Sequence, residues 1–315
     1  MSENVKEEPL IPDDLPPDHR SGWVALIGRP NVGKSTLLNA YLGQKLAIVS
    51  DKPQTTRKRL LGILTQPNAQ IIFVDTPGIH APLHKLGEYM VETAVAALQD
   101  ADVVLLMVDL SFPPGKEDRL VAGALVRSKP PCSILVMNKV DLVPMDELEA
   151  RQQAYRDLVQ TDAQAVISAT RGDNRDELLQ HIIAALPPGP RYFPDEQVTD
   201  QQERFIAAEL IREQVLRLTH QEIPYSVAVV IDEFKERRAD LAYIEATILV
   251  EKDSQKGILI GENGKMLKQI GVGARADIEA MLGHKVFLEL WVKVDKRWRS
   301  NEVELQRLGY SSPQD

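Results

Sequence analysis

The chain has 315 residues, 43% of them hydrophobic and 26% charged, and a formal net charge of −9 at pH 7. This length suffices for two ordinary domains, each with its own core. The composition is that of a soluble globular protein, and no run approaches the roughly 18 uninterrupted apolar residues that span a bilayer. The negative charge argues against nonspecific adhesion of the whole molecule to nucleic acid.

The N-terminus and the cysteine content indicate the compartment. Residues 1–20 are acidic and rich in proline, so we expect a disordered leader rather than a secretory signal or a transit peptide. A single cysteine, Cys132, excludes an internal disulfide framework and fits a reducing cytoplasm. Because Cys132 lies in an apolar run, we expect a buried structural thiol.

Residues 21–190 alternate between strand-like and helix-like segments. Continuous apolar runs, typical of strands buried on both faces, lie at 23–28, 71–75, 103–109 and 134–138. Segments with helical spacing of apolar residues lie between them, at 34–42, 85–99 and 117–127. This order predicts a doubly wound α/β domain with a mostly parallel sheet and a ligand at the carboxyl ends of its strands.

A different pattern follows the first domain. Leu186-Pro187-Pro188-Gly189-Pro190 stops the last helix and opens a linker, placed at 191–200. We assign 201–315 to a smaller α+β domain. Its predicted elements are an amphipathic helix at 201–218, strands at 225–234 and 241–251, a helix at 265–282 and an alternating strand at 286–294.

A phosphate-binding loop follows the first predicted strand. Residues 28–35 read GRPNVGKS, a full match to GxxxxGK[ST]. Such a loop turns backbone N–H groups toward phosphates and leads into a helix with a positive N-terminus. Lys34 is expected to reach the β- and γ-phosphates, and Ser35 to ligate Mg²⁺. The other predicted nucleotide contacts here are Gly28, Asn31, Val32, Gly33 and Thr36.

The base specificity is predicted by Asn138-Lys139-Val140-Asp141. The Asp141 carboxylate can accept hydrogen bonds from the guanine N1–H and exocyclic amine, a donor pair that adenine lacks. Asn138 can brace the loop, and the aliphatic part of Lys139 can cover the base. Ser168 and Ala169 are further candidates for contacting the base, through backbone N–H groups.

Two segments are predicted to sense the γ-phosphate. In Asp75-Thr76-Pro77-Gly78, the carboxylate is placed to hold the Mg²⁺ shell, and the Gly78 N–H to contact the γ-phosphate. Gln54-Thr55-Thr56-Arg57 supplies a threonine hydroxyl that can complete the metal shell. We favour Thr56, although spacing alone does not choose between the two threonines.

His80 and His84 have the H-x₃-H spacing that on a helix would place two imidazoles on one face. Pro82 lies between them, in the predicted second switch loop. We therefore expect solvent-exposed switch residues rather than zinc ligands.

Together, GRPNVGKS, QTTR, DTPG, NKVD and SA resemble the five motifs of translation-factor-related GTPases, in the branch that contains the Era family and the tRNA-modification GTPase MnmE. Ras-like members place a catalytic Gln just after DxxG, where this chain has Ile79. In relatives, a P-loop Asn binds a potassium ion that replaces an arginine finger, and Asn31 occupies the matching position. The resemblance implies Lys34, Asn31 and Gly78 as catalytic groups, and Mg²⁺ with K⁺ as a second candidate cofactor.

In the second domain, residues 257–265 read GILIGENGK. A GxxG turn between helices is the device with which KH domains clamp about four nucleotides of single-stranded RNA. A bare GxxG is usually an ordinary turn, but the predicted order of helices and strands around it is that of a type II KH domain. Residues 252–299 also carry ten Lys/Arg against six Asp/Glu, a balance of +4. The predicted RNA-binding residues are Gly261, Glu262, Asn263, Gly264, Lys265 and Lys268.

The end of the chain extends the resemblance. VFLELWVKV at 286–294, Lys296-Arg297-Trp298 and Leu308-Gly309-Tyr310 are similar to the C-terminal end of the Era family, so the resemblance covers 22–310. It implies a cytoplasmic GTPase that binds single-stranded RNA near the 3′ end of 16S ribosomal RNA and assists assembly of the 30S precursor. It further implies a monomer and a peripheral association with the inner face of the membrane.

Two alternatives remain open at this point. One is an RNA-modification GTPase of the MnmE-like branch, for which no flavin or folate site is evident. The other is a membrane-associated signalling GTPase, for which the chain shows no lipidation motif and no strongly cationic amphipathic helix.

Overall fold

The computed structural model describes residues 15–238 and 240–310, so most of the predicted disordered leader lies outside the described residues. The last residues of that leader are packed against the first domain. His19 is buried, and its carbonyl accepts a hydrogen bond of 3.1 Å from the Gly189 N–H. The first domain therefore includes residues before the predicted boundary at residue 21.

The N-terminal part contains a six-stranded sheet with the order β2-β3-β1-β4-β5-β6. Only β2 runs antiparallel to its neighbour, which confirms the prediction of a mostly parallel sheet. The strands are β1 (Arg20–Ile27), β2 (Leu60–Gln66), β3 (Ala69–Asp75), β4 (Val103–Asp109), β5 (Cys132–Asn138) and β6 (Ala163–Val166).

Helices cover both faces of this sheet. Alternate residues of β1 enter different buried clusters, with Val24 and Leu26 in one and Ala25 and Ile27 in the other. This is why the parallel strands read as continuous apolar runs. The helices are α1 (Lys34–Leu42), α2 (Lys85–Ala96), α3 (Lys116–Ser128), α4 (Leu148–Arg156) and α5 (Arg175–Ala185).

The C-terminal part is built on a three-stranded sheet with the order β7-β8-β9. β7 and β8 are antiparallel, whereas β8 and β9 are parallel. Ala242 and Ile244 of β8 share a buried cluster with residues of the two long helices α6 and α9. The elements are α6 (Glu203–Leu218), α7 (Ile223–Ser226), β7 (Ala228–Arg238), β8 (Leu241–Val250), α8 (Asp253–Ile260), α9 (Lys265–Leu282), β9 (Lys285–Val294) and α10 (Glu302–Arg307).

The predicted linker at 191–200 is held along the edge of the first sheet. The Gln70 side-chain amide donates to the Phe193 carbonyl at 2.8 Å, and the Ile63 N–H donates to the Val198 carbonyl at 2.9 Å. The Thr199 hydroxyl donates to the Leu61 carbonyl at 2.7 Å. The segment is therefore part of the first domain's surface rather than a free connection.

Two expectations from the sequence differ from the structure. Cys132 is only partly buried, because it opens β5 near the edge of the core, although burial still raises the pKa of its thiol. Strands β2 and β6 were not predicted; β6 is short, and its sequence AQAV gives little apolar signal. None of the described helices is long and apolar enough to cross a membrane.

Candidate functional site

A cavity of about 440 Å³ lies at the carboxyl ends of the parallel strands. It is the position that a doubly wound sheet offers to a ligand. Every predicted nucleotide motif contributes to its lining. The predicted residues that line it are Asn31, Gly33, Lys34, Ser35, Thr36, Thr55, Thr56, Gly78, Asn138, Lys139, Asp141 and Ser168. Gly28, Val32, Asp75 and Ala169 are not among the lining residues.

The phosphate loop is fixed by close contacts to a second motif. Gly33 has φ 103°, and a Cβ there would lie 2.3 Å from Asn138 Nδ2, so no larger residue fits without a shift. Asn138 donates to the Val32 carbonyl at 2.8 Å and accepts from the Ala169 N–H at 2.9 Å. Asn138 therefore ties the phosphate loop to the loop after β6, which is the bracing role expected of it.

Lys34 is buried within the phosphate loop. Its ammonium donates to the carbonyls of Gly28 at 3.2 Å and Arg29 at 3.1 Å. Burial lowers the pKa of Lys34 to about 8, against the opposing effect of Asp75. A phosphate brought into the loop would offer this ammonium charged acceptors in place of neutral carbonyls, and would favour its protonated form.

Three oxygen-bearing side chains meet beside Lys34. Ser35 Oγ donates to Asp75 Oδ2 at 2.6 Å and lies 3.0 Å from Thr56 Oγ1, which is 3.4 Å from the same carboxylate oxygen. Asp75 is fully buried, its Oδ1 has no hydrogen-bond partner among the described residues, and burial raises its pKa. A buried carboxylate with an unpaired oxygen beside two hydroxyls fits a hard divalent cation such as Mg²⁺.

The hydroxyls of the two candidate threonines have different partners in the structure. The Thr56 hydroxyl belongs to the oxygen cluster, whereas the Thr55 hydroxyl turns away and donates to the Lys52 carbonyl at 2.6 Å. Only Thr56 is therefore placed to contact a metal held by Ser35 and Asp75.

Asn31 lines the cavity within the phosphate loop, and Ile79 is bound to that loop through its backbone without lining the cavity. Asn31 adopts φ 63° and donates to the Asp51 carbonyl at 2.5 Å, and both residues line the cavity. Ile79 is buried, and its N–H donates to the Gly28 carbonyl at 3.1 Å. This position therefore brings no side-chain amide to the phosphates.

The expectation that both histidines are exposed is wrong for His80. That side chain is buried, with Nδ1 2.8 Å from the Gly78 carbonyl and Nε2 3.3 Å from the Gln54 amide, so it braces the loop at Gly78. His84 is exposed and precedes α2. Within 15–238 and 240–310, no group of three or more His, Cys, Asp or Glu side chains could hold a metal ion.

Lys139, which lines the base side of the cavity, is held by Asp109, a buried residue outside the lining that the sequence reasoning missed. Lys139 Nζ donates to Asp109 Oδ2 at 2.7 Å, and the Ser111 hydroxyl donates to the same carboxylate. Burial opposes ionisation of Asp109, but these donors hold its pKa below the usual value. The position of Asp109 at the carboxyl end of β4 was an available signal. Asp141 is exposed at the rim.

The backbone donors of the loop after β6 bond within the protein. The Ser168 N–H donates to the Asp173 carbonyl at 3.1 Å, and the Ala169 N–H is taken by Asn138. Both backbone donors expected to contact the base thus have protein acceptors. The residues of this loop that line the cavity are Ser168 and Thr170.

The GxxG turn joins α8 to α9. Gly261 has φ 70°, and a Cβ there would lie 2.9 Å from the Met266 N. At Gly264 a Cβ would meet no atom within 4 Å, so only the φ of 77° favours glycine. Glu262 and Asn263 are exposed at its tip. Lys265 and Lys268 are exposed on the first turns of α9 and line an open groove of about 590 Å³ together with Gln214, Leu218, Gln269, Val272 and Gly273.

Comparison with known proteins identifies both parts of the chain. The family model described as 50S ribosome-binding GTPase matches residues 23–139, and the model described as KH domain matches residues 222–299. GTPase Era of Geotalea daltonii is 50% identical over 290 residues, which are 92% of this chain and 97% of that protein. GTPase Era of a Geobacter species is 51% identical over 291 residues, 92% and 98% of the two chains.

The chain belongs to the Era family of GTPases. Two solved structures agree with this assignment. One is an Era bound to MgGDPNP and nucleotides 1506–1542 of 16S ribosomal RNA, and the other is a variant of Aquifex aeolicus Era bound to GDP and AlF₄⁻. Each has a TM-score of 0.88 and 40% identity, and covers 93% of this chain and 99% of its own. The predicted GTPase activity and the KH domain are thereby confirmed.

Proposed function

We propose that this Era-family GTPase is a nucleotide-controlled switch that binds single-stranded RNA near the 3′ end of 16S ribosomal RNA and assists small-subunit assembly. The observation that carries the proposal is the combination, on one chain, of the guanine-type cavity and the exposed GxxG turn with its two lysines. It is supported by the 40% identical Era whose structure contains MgGDPNP and nucleotides 1506–1542 of 16S RNA.

Within the cavity, each of several side chains and one backbone N–H group has its own role in hydrolysis. Lys34 would contact the β- and γ-phosphates, the Gly78 N–H would contact the γ-phosphate, and Ser35, Thr56 and Asp75 would hold Mg²⁺. Mg²⁺ bound there would supply positive charge to offset the charge that develops on the phosphate oxygens. Asn138 holds the phosphate loop and the base loop in register, and Asp141 accepts from the guanine edge.

A potassium ion is proposed as the second cofactor. The Asn31 amide and the Asp51 carbonyl lie together at the phosphate end of the cavity, and both can offer oxygen ligands. The buried Ile79 supplies no polar group there. A monovalent cation held at this point would stabilise charge on the β–γ bridge, where many other GTPases use an arginine finger.

Replacing Na⁺ by K⁺ at constant ionic strength is expected to raise GTP turnover about tenfold or more. Affinity for a non-hydrolysable GTP analogue should stay unchanged, because the ion acts mainly on the transition state. Asn31→Ala should remove the difference between the two salts. Asn31→Gly, which tolerates the positive φ, provides a second variant without backbone strain. Phosphate release measures the turnover of the wild type and of each variant in the two salts. Equal turnover of the wild type in Na⁺ and K⁺ contradicts the role of K⁺.

The RNA proposal is tested against its rivals in one assay. Fluorescence anisotropy of an RNA from the 3′ end of 16S RNA should show binding that weakens steeply as salt rises, because lysines displace counterions from phosphates. Anionic vesicles serve as the second probe. Binding to vesicles without binding to RNA would favour the membrane-associated signalling GTPase. Preference for a transfer RNA over this RNA would favour the RNA-modification GTPase.

We place the protein in the cytoplasm as a monomer, with any membrane contact peripheral.

A further inference from the structure

Helix α6 contacts the segment that carries Thr56, although this helix lies outside the residues matched by either family model. Arg212 of α6 is 1% exposed, and its Nη2 donates to the Thr55 carbonyl and to the Glu209 carboxylate. The neighbouring Glu213, also 1% exposed, accepts from the Val49 N–H at 3.1 Å. The backbone before Thr56 is therefore bound to α6.

The backbone after Thr56 is held by a second buried guanidinium. Arg57 is 1% exposed and donates to the carbonyls of Val227 at 2.6 Å, Pro224 at 3.2 Å and Tyr225 at 3.3 Å. Its guanidinium carbon lies 5.8 Å from the centre of the Trp298 ring. All four of these partners belong to the C-terminal part of the chain.

Both guanidinium groups are charged at neutral pH. Burial opposes the charge on Arg57, but a guanidinium stays protonated in proteins. Burial opposes the charge on Arg212 as well, but Glu209 outweighs it and holds the pKa of Arg212 above its usual value. Charged donors in a dry environment make short, directional hydrogen bonds, and removing one partner leaves the others unpaired. The two arginines thus fix the backbone on both sides of Thr56.

We propose that Arg57 and Arg212 are positioning residues for Thr56. By anchoring its neighbours to the C-terminal part, they keep the Thr56 hydroxyl at the oxygens of Ser35 and Asp75. The inference rests on the proposed role of Thr56 in holding Mg²⁺ with GTP. Switch segments of this kind engage the metal and the γ-phosphate, and are released once the γ-phosphate is lost. The arginines should therefore favour the triphosphate over the diphosphate.

The test measures two dissociation constants in the full-length protein with Mg²⁺. Arg212→Met keeps most of the side-chain volume and removes the donors. We expect the affinity for a non-hydrolysable GTP analogue to fall about tenfold or more, the scale of losing a charged hydrogen bond, while affinity for GDP changes less than about twofold. A merely structural arginine would lower the melting temperature and weaken both nucleotides alike. Equal changes for the two nucleotides, or no change in either, overturn the proposal.

A double-mutant cycle separates this inference from the proposed function. If Arg212 acts through Thr56, adding Arg212→Met to Thr56→Ala causes no further loss of analogue affinity. If Thr56→Ala alone leaves the ratio of analogue to GDP affinity unchanged, the proposed metal role of Thr56 is wrong. If Thr56→Ala alters that ratio and Arg212→Met does not, only the positioning role falls.

Two further variants complete the experiment. Lys85→Met breaks an exposed 2.8 Å ion pair with Glu302 that joins α2 to α10, and serves as the matched control that should leave both affinities unchanged. Should Arg212→Met fail to fold, Lys52→Met is the second variant. Its ammonium donates to the carbonyls of Leu216 and Thr219 at the end of α6. A selective loss of analogue affinity supports the proposal, and an unchanged ratio contradicts it.

Discussion

Asp141→Asn should lower the affinity for GTP by about three orders of magnitude and shift the preference to xanthine nucleotides. The carboxylate can accept from both the N1–H and the exocyclic amine of guanine, whereas an amide turns a donor toward one of them. Xanthine has an oxygen in place of that amine and accepts the new donor. Asp141 lies at the rim of the cavity in the turn after Lys139, whose ammonium is tied to Asp109, so the substitution should leave the loop in place.

Competition between GTP, XTP and ATP for the purified variant measures the shift. Asp146→Asn is the matched control, because Asp146 is an exposed carboxylate on the same loop and is not part of the cavity lining. Undiminished preference for GTP in Asp141→Asn would show that this residue does not select the base.

Replacing both Glu262 and Asn263 with Asp should abolish RNA binding and leave GTP hydrolysis of the free protein near normal. Gly261 and Gly264 remain, and Asp tolerates the positive φ of 52° at position 263, so the turn should persist. Carboxylates would then face RNA phosphates at contact distance, where each repulsion costs roughly 1 kcal/mol or more. Asn263→Asp adds a new charge, and Glu262→Asp brings an existing carboxylate nearer the backbone.

The measurement is anisotropy of a single-stranded RNA from the 3′ end of 16S RNA at fixed salt. Gln306→Glu adds the same charge on the exposed surface of α10, away from the groove at the GxxG turn, and should bind RNA like the wild type. Circular dichroism verifies folding. If the folded Asp-Asp variant binds RNA normally, the turn is structural and the RNA site lies elsewhere.

The parts of the site that were predictable from the sequence are those whose geometry is local. Residues 28–35 form the phosphate loop and the first residues of α1, because a glycine-rich turn between strand and helix has few conformations. The convergence of residues 75–78 and 138–141 on this loop follows from the parallel sheet, whose carboxyl ends share one edge. The GxxG turn between α8 and α9 was also predictable, because its geometry depends on residues close in sequence.

The parts that could not be predicted depend on contacts distant in sequence. Spacing did not choose between Thr55 and Thr56, because the choice follows the path of a loop held by Arg212, some 157 residues away. The acceptors for the Ser168 and Ala169 amides, and the burial of His80 against Gly78, likewise come from tertiary packing. Composition can suggest that such residues matter, but it does not say which partner they meet.

The segment after Pro190 covers a strand edge through which copies of the chain could otherwise pair. β2 is one of the two outer strands of the six-stranded sheet, and an open strand edge is a template for pairing with another chain. Here the Val198 carbonyl and the Thr199 hydroxyl already occupy the Ile63 N–H and the Leu61 carbonyl. The chain thus covers the β2 edge of its own sheet, and a fragment ending at residue 190 is expected to expose that edge and to aggregate even with every nucleotide-binding residue intact.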